Sequence, residues 1–168
     1  QHLPHFSSEP ELADDVAEMQ AQVARCKAIV SGILLSAGEA RGESSGETTV
    51  CAFLDTVVNA WCERRNCSGF HYHNAFGDDL PMVADSAIQQ MIGNVLDNAA
   101  EASPQAVWFE ARREDDALVL TVWDQGPGFA PHLLPQIGKP YQSTKGHPGG
   151  GLGLFLVFNV ARTLGGDV

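Results

Sequence analysis

Three groups of residues in this chain have the types and spacing to do chemistry. The first is Asp124-Gln125-Gly126-Pro127-Gly128, an acid that ends an apolar strand and runs into a glycine turn. A carboxylate there can accept a hydrogen bond from an exocyclic amine, and Gly126 and Gly128 let a flat ring approach backbone with no Cβ in the way. The second is Gly149-Gly150-Gly151-Leu152-Gly153-Leu154, a glycine cluster opening a helix. Backbone N–H groups at a helix N-terminus can face an anion. The third is Asn94-Val95-Leu96-Asp97-Asn98, whose two carboxamides are four residues apart and share one helix face. An amide oxygen is a suitable hard ligand for Mg²⁺. Taken singly, each has a plainer reading: a common Asp-Gly turn, a flexible loop, a solvated helix face. In this order they describe a nucleotide pocket.

The residues between the glycine groups add to it. Lys139-Pro140-Tyr141-Gln142-Ser143-Thr144-Lys145 offers an aromatic ring, two hydroxyls and two ammonium groups. That composition suits a lid closing over a triphosphate.

Positioning these groups needs a sheet and several helices. Alternation predicts a hairpin of Ala106 to Arg113 and Ala117 to Trp123 across Glu114-Asp115-Asp116. Its second strand sets Leu118, Leu120, Val122 and Asp124 on one face, so a carboxylate stands where the core points. A helix from about Asp85 to Ala102 has the apolar stripe Ile88, Met91, Ile92, Val95, Leu96 and Ala99. Asn94, Asn98 and Glu101 lie opposite that stripe. Leu152 to Leu164 reads as a helix ended by Gly165-Gly166, and Pro131 to Ile137 as a short helix or turn. Upstream, Thr48 to Phe53 and Gly69 to Ala75 read as strands and Leu54 to Cys67 as a helix, while 41–47 is a linker. The pattern is α+β, a two-layer α/β sandwich. It is no Rossmann unit and carries no Walker motif.

A different element occupies residues 1–40. Ser8-Glu9-Pro10-Glu11 reads as a capping box for a helix over 9–37. Its apolar positions, Leu12, Val16, Met19, Val23, Cys26, Val30, Ile33 and Ala37, alternate spacings of four and three. That heptad seam predicts a coiled coil or four-helix bundle, and so a homodimer through residues 9–37.

Composition narrows the classes. The chain has 168 residues and a net charge of −11, which argues against nucleic-acid and anionic-membrane binding. No apolar run is long enough to span a bilayer. The chain opens on Gln1, which reads as the start of an excised fragment. Cys26, Cys51, Cys62 and Cys67 form no CxxC or zinc spacing and read as free, buried thiols of a cytosolic protein. For Cys26, in the seam, a cross-dimer disulfide is the alternative. His71 and His73 share a strand face without an acid at ligand spacing.

With these residues in place, the chain resembles the ATP-binding domain of sensor histidine kinases, within the superfamily of chaperone, mismatch-repair and topoisomerase ATPases. Asn94 to Asn98 is similar to the asparagine box, Asp124 to Gly128 to the first glycine box, Gly149 to Leu154 to the second. Tyr141 stands in the aromatic box. The helix at 9–37 resembles the second helix of the kinase dimerisation hairpin. Ile137 to Tyr141 and Asn159 to Leu164 resemble the RegB/PrrB-type kinases. The resemblance implies a Bergerat-type ATP-binding fold over 48–168, ATP and Mg²⁺ as cofactors, and a response regulator as partner. It implies that Asn98 and Asn94 hold Mg²⁺ and that Asp124 reads adenine. Gly126, Gly128, Gly149, Gly151, Leu152, Gly153 and Leu154 would supply backbone contacts, and Tyr141, Ser143, Thr144 and Lys145 the lid. It implies the cytosolic part of a membrane-bound bacterial sensor, with any membrane segment outside this stretch.

Three departures qualify the match. No phosphoacceptor histidine is present, since His2 and His5 have the wrong pattern, so the fragment is not expected to autophosphorylate alone. Glu101 stands where many members carry a Lys or Arg. The family's last strand is missing from this sequence. Two other readings stay open: an ATPase of the same superfamily, which would want a Glu at position 94 to activate water, and a non-catalytic dimerisation module with a degenerate site.

Overall fold

A computed structural model describes residues 46–65, 67–140 and 151–168, together with Val16, Glu18, Met19, Gln22, Val23 and Cys26. Those six are helical and exposed. The rest of the seam helix lies outside the described residues, as do Tyr141, Ser143, Thr144, Lys145 and Gly149.

Strand β1 (Glu47–Thr49) leads without a loop into helix α1 (Val50–Arg64). The predicted strand to Phe53 is therefore too long. The run Thr48-Thr49-Val50 favours extended backbone, but Thr49 acts as an N-cap, its hydroxyl accepting from Ala52 N–H at 3.4 Å. From there Val50, Phe53, Leu54, Val57, Val58 and Trp61 recur at helical spacing and are all buried. Strand β2 (Phe70–Ala75) follows. Strand β3 (Pro81–Val83), too short to show a period in the sequence, pairs antiparallel with β1, Thr48 opposite Met82.

Helix α2 (Ser86–Ala102) starts as expected, with the Asp85 carboxylate accepting from Ala87 N–H at 2.7 Å. Strands β4 (Val107–Glu114) and β5 (Ala117–Asp124) form the expected hairpin. Asp115 takes the left-handed conformation in its turn. β2 runs parallel to β4, giving a three-stranded sheet in the order β2-β4-β5. A short 3₁₀ turn (Leu134–Gln136) and helix α3 (Gly153–Thr163) complete the described fold.

The sheet's inner face presents Val107, Phe109 and Ala111 against α1 and α2. Phe109, Leu54 and Leu96 are the largest fully buried side chains. Each such side chain contributes about 1.5–3 kcal/mol on burial, so this sandwich is what fixes α2 in place. Leu156, Val157, Val160 and Ala161 bury the inner face of α3, which packs on α2.

The cysteines depart from expectation. Cys62 and Cys67 are joined as a disulfide across the end of α1, Cα atoms 5.5 Å apart. Cys26 is exposed and Cys51 half-buried. A pair separated by five positions matches no redox or zinc motif, which is why spacing alone did not reveal it. Among the described residues no helix is long and apolar enough to cross a membrane, and no cluster of three or more His, Cys, Asp or Glu forms a metal site.

Candidate functional site

The site begins with two faces of α2. One carries Ile92, Leu96 and Ala99 into the core. The opposite one carries Asn94 and Asn98, because four residues advance a helix by little more than one turn. This face meets the start of α3. A Cβ built on Gly153 would lie 3.6 Å from Asn98 Nδ2 and 3.8 Å from Asn94 Cβ. Gly153 and the asparagine pair, some 55 residues apart in sequence by rough count, thus face each other with room for a methyl group between them.

Asn94 supplies the clearest chemical signal. Its side-chain Nδ2 is buried and has no hydrogen-bond partner among the described residues. Leaving a buried donor unpaired costs about 1–3 kcal/mol. A protein tolerates that where something else is to be bound, and an anionic oxygen fits an orphaned N–H. The N-terminus of α3 faces the same space with no side-chain cap, so its first N–H groups add a second set of donors. Gly151 precedes it at φ 86°, a conformation that favours glycine. A metal with hard-ligand preference fits here as well, since the carboxamide oxygens of Asn94 and Asn98 are such ligands.

Asp124 stands at the end of β5, opposite Val107 of β4. Its Oδ1 accepts from Gly126 N–H at 2.7 Å, which fixes the carboxylate at the turn. Gly126 has a second duty that the sequence did not disclose. A Cβ there would come within 2.9 Å of both the Cβ and the carbonyl oxygen of Ala102, at the last turn of α2. So the first glycine group packs directly on the helix that carries the asparagines. Gly128, by contrast, has open space around it and is demanded by its φ of 69°.

Sequence reasoning missed one further contact. Asp97, between the two asparagines, reaches away from them toward the end of α1. Its Oδ1 accepts from Trp61 Nε1 at 2.8 Å and pairs with Arg65 Nε at 3.0 Å. An acid inside the asparagine group was visible in the sequence, but its partners lie more than thirty positions away.

Residues 84–168 match the family described as histidine kinase-, DNA gyrase B-, and HSP90-like ATPase, a stretch from the entrance of α2 to Val168. The chain is 35% identical over 97 residues to the C4-dicarboxylate transport sensor protein DctB of Pseudomonas aeruginosa, covering 52% of this chain and 16% of that protein. It is 29% identical over 138 residues to the sensor histidine kinase Hik2 of Thermosynechococcus vestitus, covering 79% of this chain and 30% of that one. Among solved structures, full-length ShkA in complex with AMPPNP superposes with a TM-score of 0.67 at 22% identity, over 97% of this chain and 35% of ShkA. The chain therefore spans less than a third of the length of these two curated relatives, and the last comparison speaks to fold. On the family match, the chain belongs to the histidine kinase-, DNA gyrase B- and HSP90-like ATPases.

Proposed function

We propose that this chain is the nucleotide-holding and dimerising part of a two-component sensor histidine kinase. It would hold ATP and Mg²⁺ for phosphoryl transfer to a histidine outside residues 1–168 and then to an aspartate of a response regulator. The observation that carries this reading is the close approach of Gly153 to Asn94 and Asn98, with Asn94 Nδ2 buried and, among the described residues, unpartnered. DctB and Hik2 carry sensor names, which favours the kinase over other members of the superfamily.

The residues divide the nucleotide between them. Asp124, with Oδ1 engaged by Gly126 N–H, offers its other oxygen to the adenine amino group. Asn94 Nδ2 and the α3 N-terminus give hydrogen bonds to phosphate oxygens. Asn98, with Asn94, holds Mg²⁺, which when bound neutralises charge on the phosphates. Gly149, Gly151, Leu152, Gly153 and Leu154 present backbone, and Tyr141, Ser143, Thr144 and Lys145 close over the triphosphate. Phosphoryl transfer asks a protein chiefly for such positioning and charge stabilisation. Asn94 has no carboxylate with which to activate water, which disfavours hydrolysis. The exposed Val16, Met19, Val23 and Cys26 support dimerisation through 9–37.

Calorimetric titration with a non-hydrolysable ATP analogue tests the reading. Binding is expected in the presence of Mg²⁺, weakened about tenfold or more by chelator and by Asn98→Ala. Binding that ignores both would remove the metal from the account, and rapid turnover of ATP with water would favour an ATPase.

A further inference from the structure

We infer that Asp97 is a positioning residue, which sets the rotation of α2 about its own axis and so aims Asn94 and Asn98 at the bound nucleotide. The inference rests on the nucleotide reading above and adds a residue that the reading does not use.

Two donors at the end of α1, Trp61 Nε1 in its last turn and Arg65 Nε just beyond it, converge on a single oxygen of α2, at 2.8 and 3.0 Å. Trp61 is only 3% exposed, so its ring cannot shift without disturbing the core, and the indole N–H is a fixed point. The Cys62–Cys67 bond closes the turn that carries Arg65. The ion pair itself is half-exposed, with side chains 39% and 40% accessible, and pairs of that kind add little stability. Its direction matters more. The apolar face of α2, Ile92, Leu96 and Ala99, sets how deep the helix sits, and the Asp97 anchor adds to it a polar, directional contact that fixes its rotation. A roll of 10° moves side-chain atoms by about 1 Å at the outer radius of a helix, some 5–6 Å from its axis. Displacement on that scale is costly for groups that bind a charged ligand by geometry. Asp97 is three residues after Asn94 and one before Asn98, so holding its carboxylate holds both.

The plainer role for Asp97 is to satisfy a buried indole, and the test separates the two. The probes are Mg²⁺ with AMPPNP, which engages the asparagine face, and ADP in chelator, which leans on Asp124. Titration of the unaltered chain comes first. Absence of binding by either probe would overturn the nucleotide reading and this inference with it. Given binding, Asp97→Ala is expected to weaken Mg²⁺–AMPPNP about tenfold and ADP by less than about twofold, and Asp97→Asn, which keeps an acceptor oxygen, to recover most of the loss. Trp61→Phe keeps a ring in place while removing the N–H, and should act in the same direction as Asp97→Ala if the latter folds poorly. Val57→Ala lowers stability from elsewhere on α1 and should leave both affinities alone. Equal loss of both probes in Asp97→Ala, an unchanged Mg²⁺–AMPPNP affinity in Asp97→Ala and Trp61→Phe, or a Val57→Ala variant that behaves like Asp97→Ala would each overturn the positioning role.

Discussion

Asn94 is where stability and function pull apart. Its Nδ2 is buried without a partner among the described residues, a cost to the folded chain. Asn94→Leu, which keeps the branching of the side chain with two methyl groups in place of the carboxamide O and N, removes that polar group. The ligand-free variant should melt at the same temperature or higher, by about 1–2 kcal/mol at most, while nucleotide binding falls at least about tenfold. Differential scanning fluorimetry with and without Mg²⁺–AMPPNP reads both. A variant that is destabilised yet binds normally would mean the amide is structural. Asn94, Asn98, Asp124 and the glycines could be singled out from the sequence because their types and local spacing are unusual. The packing of Gly126 on Ala102 and the tie from Asp97 to Trp61 could not, because each depends on where two separate elements meet.

Elements were legible in proportion to their length and regularity. Helix α2 and the β4–β5 hairpin follow from periodicity and caps over eight or more residues. The β1–β3 pair did not: three residues each way show no period, and Pro81 reads as a helix lead-in until its partner strand is known. Two predictions belong to this scale. Asp79 joins the loop before β3 to the first turn of α1, its Oδ1 accepting from the N–H groups of Cys51 and Leu80 at 3.0 Å each. The bond from Cys51, followed by that from Thr49, holds its carboxyl below the usual range. A depressed folded-state value means that the stabilisation is complete above the unfolded carboxylate's value, near about 4, and is lost as pH falls through the lower folded one. The gap in melting temperature between the unaltered chain and Asp79→Asn should therefore be constant from about pH 6 to 8 and close at acid pH. A gap that widens on acidification would contradict this. The second concerns the loop closed by Cys62 and Cys67. Cross-linking so short a loop stabilises by about 2 kcal/mol, so reductant or a Cys62→Ser, Cys67→Ser variant should lower the urea midpoint accordingly. An unchanged midpoint would show that the bond adds nothing to the fold.

At the scale of the whole molecule, a net charge of −11 confronts a polyanionic ligand. Screening confines most of that repulsion to within about 8 Å at physiological ionic strength. On the proposed reading, binding is decided by the local set of donors around α2 and α3 and by the metal, and selectivity for adenine by the Asp124 carboxylate at the end of β5. Asp124 is exposed, so altering it should leave the fold intact. The most direct measurement is calorimetric titration of Mg²⁺–AMPPNP into the unaltered chain and Asp124→Asn, beside their melting curves. The account predicts binding by the unaltered chain, a loss of at least about tenfold in the variant because an amide cannot match a carboxylate as acceptor, and melting temperatures that coincide. Equal affinity of the two proteins, or no binding by the unaltered chain, would contradict it.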